Sequence, residues 1–94
     1  MNLVTLSFYI VEEEQDTFVD AVRDLKNFWE DQGFRVSLFR DKHKSGRFLQ
    51  TFLTEKTVDE LIAIIQNHPA VKEIFEKIKD GGSRVVISIM EQLV

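Results

Sequence analysis

Hydrophobic residues occupy every second position at the start of this chain. Between residues 2 and 11, Val4, Leu6, Phe8 and Ile10 fall on one side and Leu3, Thr5, Ser7, Tyr9 and Val11 on the other. A period of two is that of a strand, whose side chains point alternately to its two faces. The period then lengthens. Glu12 to Asp16 form an acidic run suited to the positive end of a helix. Phe18, Val22, Leu25 and Trp29 recur at helical spacing, with Ala21 and Phe28 beside them, which predicts a buried stripe. Asp20, Arg23, Asp24, Lys26, Asn27 and Glu30 take the solvent side, and Gly33 is placed to end the helix.

Alternation returns in residues 34–40, with Phe34, Val36 and Leu38 opposed to Arg35, Ser37 and Phe39. A polar turn, Asp41 to Gly46, leads into a third strand at 47–54 that pairs most simply as a hairpin with the second. The facing of this strand is open. Leu49, Thr51 and Leu53 could meet the helices, or Phe48, Gln50 and Phe52 could, because a one-residue slip exchanges the two sets. Thr57 followed by Glu60 is a capping-box signature. Pro69 is comfortable at a helix start and poor inside one, so the second helix reads as two segments, roughly 58–66 and 69–79, ended by Gly81-Gly82. The last strand, 84–92, sets Val85, Ile87 and Ile89 against Val86, Ser88 and Met90.

The order is strand, helix, strand, strand, helix, strand. Right-handed crossovers and short connections leave few ways to assemble it. The usual one is a single α+β domain over 1–94, a ferredoxin-like βαββαβ unit. Its four-stranded antiparallel sheet has order 4-1-3-2 and carries both helices on one face. Val4/Leu6/Phe8/Ile10, Phe34/Val36/Leu38 and Val85/Ile87/Ile89 are expected to meet those helices. The opposite face is poor in charge, whereas a solvated sheet normally alternates to polar residues. Its Ser7, Tyr9, Ser37, Phe39, Val86, Ser88 and Met90 are therefore the candidate interface for a second copy, the commonest oligomer being a two-fold dimer.

Composition narrows the chemistry. The chain has 94 residues, 44% hydrophobic, with eight Phe and a net charge of −4. That mild acidity argues against nucleic acid and anionic membrane, both of which demand phosphate neutralisation. With no Cys and two His, thiolate chemistry is excluded and no metal site is expected. No apolar run approaches a membrane span, and no leader pattern is visible, so a cytoplasmic protein is the expectation.

In element order and length, and in the break at Asn67-His68-Pro69-Ala70-Val71, the whole chain resembles the dimeric α+β barrel superfamily, including antibiotic-biosynthesis-monooxygenase-like domains. The resemblance implies a homodimer with a pocket between each sheet and its helices. It also implies a monooxygenase-like enzyme or a small-molecule binder that needs no cofactor. Trp29, Asn67 and His68 are the ligand-pocket candidates, since haem-degrading members use a Trp, an Asn and a His; the spacing here does not match their motif. Tyr9, Ser7, Ser37, Gln50 and His68 are the polar groups that a proton-transfer role would call on, with Tyr9 and His68 the catalytic candidates. Each has a plain structural alternative: Asn67 and His68 cap the segment after them, Trp29 is core, and a strand hydroxyl bonds across the sheet. The alternative function is a non-catalytic interaction module. It would use the open sheet face or the locally basic hairpin from Arg40 to Arg47.

Overall fold

The computed structural model describes residues 1–80 and 84–94. It contains β1 (Asn2–Tyr9), α1 (Glu12–Asp24), α2 (Lys26–Asp31), β2 (Phe34–Arg40), β3 (Arg47–Thr54), α3 (Val58–Asn67), α4 (Pro69–Asp80) and β4 (Val86–Glu91). The sheet order is β2-β3-β1-β4, every neighbouring pair antiparallel, which is the predicted order read from the other edge. The expected helix stop at Gly81-Gly82 lies outside the described residues.

Register settles the facing of β3. Val4 pairs with Phe52, Leu6 with Gln50 and Phe8 with Phe48, so Phe48, Gln50, Phe52 and Thr54 share the helix side with the buried residues of β1. Leu49, Thr51 and Leu53 lie on the open face. The core is built from rings. Phe18 of α1 meets Phe8 and Phe48 edge-on, while Trp29 of α2 does the same to Phe34 and Phe52. Buried Thr54 is satisfied locally: its hydroxyl donates to the Gly33 carbonyl at 2.8 Å and accepts from the Lys56 N–H at 3.0 Å.

The predicted first helix is two. Leu25 leaves helical geometry at φ −93°, ψ 2°, and α2 starts after it. The stripe of Phe18, Val22, Leu25 and Trp29 runs through the break, because a short irregular turn preserves the three- to four-residue spacing. The second break is where the sequence placed it. The Thr57–Glu60 capping box opens α3, the Thr57 hydroxyl accepting from the Glu60 N–H at 3.2 Å and the Glu60 carboxylate from the Thr57 N–H at 2.8 Å.

One expectation is corrected. Ile87 and Ile89 lie on the helix side of the sheet, paired with Leu6 and Val4, yet they are 62% and 57% exposed. Only Val85, just before the strand, packs against the core. β4 is an edge strand, so alternation gives the side its residues face, but the described helices do not cover Ile87 and Ile89. Val86 and Met90 on its other face are exposed as well.

Candidate functional site

A groove of about 540 Å³ runs along the β2 edge between that strand and the helices. Val19 and Val22 of α1, Val36 and Leu38 of β2, and Phe48 of β3 form its apolar walls. Its charged lining is entirely cationic: Arg23 at the end of α1, Lys26 at the start of α2 and Arg40 at the end of β2. The Arg40 guanidinium sits 5.4 Å from the centre of the Phe48 ring, an arrangement in which the ring face attracts the cation and limits its wandering. Arg23 is paired with Asp20 at 3.1 Å, but both side chains are about 70% exposed, so water screens the pair. An apolar slot with a few convergent polar groups is the usual form of a small-molecule site.

Behind the wall that Leu38 and Phe48 give this groove lies Gln50. It is 2% exposed, flanked along β3 by Phe48 and Phe52 and paired across the sheet with Leu38 and Leu6. Its side-chain oxygen Oε1 has no hydrogen-bond partner among the described residues. A buried carbonyl left unpaired costs about 1–3 kcal/mol, so a Gln kept there among Phe and Leu is an anomaly in an otherwise apolar layer.

On the open face, Ser7 and Arg47 are joined, the guanidinium Nε donating to the Ser7 hydroxyl at 3.2 Å. The same guanidinium pairs with Asp41 at 2.8 Å. The Asp41 carboxylate also accepts the backbone N–H groups of His43 and Lys44 at 2.8 and 3.0 Å. The His43 bond first, then Arg47 and the Lys44 bond, lower its pKa from the ordinary 3.8 to about 2. Part of the basic hairpin is thereby neutralised and tied down, leaving Lys42, His43 and Lys44 exposed at its tip.

The residues singled out from the sequence are not brought together. Trp29 is 2% exposed, enclosed by Phe28, Phe34 and Phe52. His68, half-buried between α3 and α4, holds its ring 4.2 Å from that of Phe28 with the planes tilted by 45°, and its Nδ1 accepts the Val71 N–H at 3.4 Å. Asn67 is exposed at the end of α3. Tyr9 lies across the sheet from these three, on the open face and 44% exposed. None of the four lines the β2-edge groove. Ser37 and Phe39, expected at the dimer interface, also line this groove; the groove as a site was missed because its walls come from three separated segments. Gln50 carried a signal of its own, as the polar residue between Phe48 and Phe52. Among the described residues no cluster of three or more His, Asp and Glu side chains is arranged to hold a metal ion, and no helix is long and apolar enough to cross a membrane.

This architecture is that of a ferredoxin-like α+β fold shared with antibiotic-biosynthesis-monooxygenase-like proteins. The chain superposes over its full length on all of an antibiotic biosynthesis monooxygenase, with a TM-score of 0.77 and 16% identity. A conserved protein from Methanosarcina mazei Go1 matches 99% of the chain with 94% of its own, at a TM-score of 0.74 and 12% identity. A variant of SnoaB from Streptomyces nogalater, a cofactor-independent oxygenase, matches 97% with 92% of its own, at 0.68 and 14%. At such identities the likeness is one of fold. No family model matches the sequence, and no curated protein is significantly similar to it.

Proposed function

We propose that the protein is a homodimeric α+β barrel of the monooxygenase-like kind that binds a small molecule in the β2-edge groove. The observation that carries this reading is the groove itself: an apolar slot between sheet and helices, ringed by Arg23, Lys26 and Arg40, in a fold whose neighbours include a cofactor-independent oxygenase. The dimer half of the reading is supported by the uncovered face. Phe39, Val86 and Met90 are each more than half exposed there, with Tyr9 close behind, and Ser7, Ser37 and Ser88 lie between them. Neutral hydroxyls can be buried in pairs, so a second copy of the same face is a suitable cover. Catalysis would require a proton acceptor near the ligand; Tyr9 and His68, the candidates from the sequence, stand away from this groove, so binding in a cytoplasmic setting is the part of the reading that the groove supports.

The test is a thermal-shift screen of small aromatic and polyketide-like compounds, run in parallel on the protein and on Val19→Trp, which fills the groove mouth with an indole. Compounds that stabilise the protein and not the variant support the reading. An equal response of both, or no response from either, refutes it. A second reading, the interaction module, is favoured by the close ring packing around Trp29, which Phe28, Phe34 and Phe52 enclose. It would gain if the screen is silent and the sheet face captures another protein.

A further inference from the structure

We propose that the groove is built for an organic anion that also carries a hydrogen-bond donor, its carboxylate at the Arg23–Lys26–Arg40 rim and its donor on the buried Oε1 of Gln50. The proposal rests on the reading of the groove as a ligand site and names the class of ligand it takes.

Charge argues for the anion. The chain as a whole is at −4, yet no carboxylate lines this groove and three cations do. The positive lining is thus a local departure from an acidic surface. Arg40 is steadied over Phe48, a wall of the same groove, so its charge is presented beside an apolar floor. Charge and apolar surface side by side suit a carboxylate on a ring or chain better than an inorganic ion.

The donor follows from Gln50. Its cross-strand partner Leu38 and its strand neighbour Phe48 both line the groove, so Gln50 stands one layer behind the wall. Its Oε1 is buried without a partner. Leu or Met would fill the same space with no unpaired group; an acceptor there becomes useful when a ligand brings a hydroxyl or N–H. Leu38 is only partly buried and belongs to an edge strand with a neighbour on one side alone, so its side chain can change rotamer to admit that group.

Three probes separate the two contacts: p-coumarate has the carboxylate and a phenolic donor, cinnamate lacks the donor, and methyl p-coumarate lacks the charge. Titration calorimetry on the full chain is expected to show p-coumarate binding about fivefold tighter than either analogue, the worth of one hydrogen bond or one partly screened ion pair. Arg40→Gln and Lys26→Gln should each weaken p-coumarate and cinnamate about two- to threefold, less at high salt, and leave the methyl ester unchanged. Gln50→Met should erase the preference for p-coumarate over cinnamate while raising the melting temperature, because an unpaired acceptor is removed. A merely structural Gln50 would do the reverse, losing stability and keeping the preference. The proposal is overturned if the methyl ester binds as well as p-coumarate, or if the protein itself does not distinguish p-coumarate from cinnamate; neither result depends on a variant folding. If none of the three probes binds while other compounds give hits that Val19→Trp abolishes, the ligand class falls and the groove stands. If the groove reading falls too, the Val19→Trp comparison shows it separately.

Discussion

Replacing Met90 or Phe39 by Asp examines the open face from its two margins, since β4 and β2 are opposite edges of the sheet. Met90 is 56% exposed and Phe39 is 55% exposed. Complete burial of such a side chain is worth about 1.5–3 kcal/mol, so covering the exposed half yields roughly 1 kcal/mol. Two-fold symmetry counts each residue twice, giving roughly 2 kcal/mol per dimer, or about thirtyfold in the dissociation constant. A carboxylate in that position adds its own desolvation without a partner, which raises the expected weakening to about a hundredfold or more. Sedimentation velocity across micromolar concentrations reads this directly. The protein should sediment as a dimer and each variant as a monomer, or aggregate where the uncovered face finds other company. A monomeric parent protein, or two variants that dimerise as it does, would remove the argument that this face is covered by a second copy. A response at Met90 alone would confine the contact to the β4 margin.

Three further outcomes follow from the geometry. Asp41 has a lowered folded-state pKa, so its contribution to stability is present above the ordinary value of 3.8 and is lost as the pH falls toward about 2; a carboxyl-carbon NMR titration should find its midpoint near 2 and Arg47→Gln should move it part of the way back to 3.8. Trp29→Ala removes the ring that Phe28, Phe34 and Phe52 pack around and should cost about 3–5 kcal/mol in urea unfolding; a loss under 1 kcal/mol would show that the ring cluster collapses around the gap. With its Nδ1 on the Val71 N–H and its half-buried ring against Phe28, His68 is held between α3 and α4, so titration with haem should leave the Soret band unshifted; a shift would mean that its other nitrogen, Nε2, reaches the iron.

Strand and helix order, the break at His68 and the capping box at Thr57 were legible because each is written in local chemistry: alternation, a Pro, a Thr three residues ahead of a Glu. The break at Leu25 was not, because no Gly or Pro marks it and the apolar stripe continues across it. β3 was ambiguous because Gln50 puts a polar residue on the side that proves to be buried. Its facing is decided by pairing with β1, a partner some 45 residues away. The exposure of Ile87 and Ile89 could not be read from alternation, since periodicity carries the direction of a side chain and not the extent of the layer above it. The groove escaped for the same reason: Val19, Leu38 and Phe48 become neighbours only after the sheet order is fixed.

The central position of β1 bears on how the molecule is made. Of the four strands in this sheet β1 is synthesised before the others, yet its two neighbours are β3, at residues 47–54, and β4, at 86–91. Both pairings close long loops, which is slow, whereas the β2–β3 hairpin closes a short one that Asp41 staples. During translation β1 must therefore wait, an apolar ribbon with one side unpaired until β4 leaves the ribosome. In that interval a transient cover such as a chaperone would protect it best. A chain stopped before residue 86 keeps its hairpin and helices but leaves the middle of its sheet as an edge.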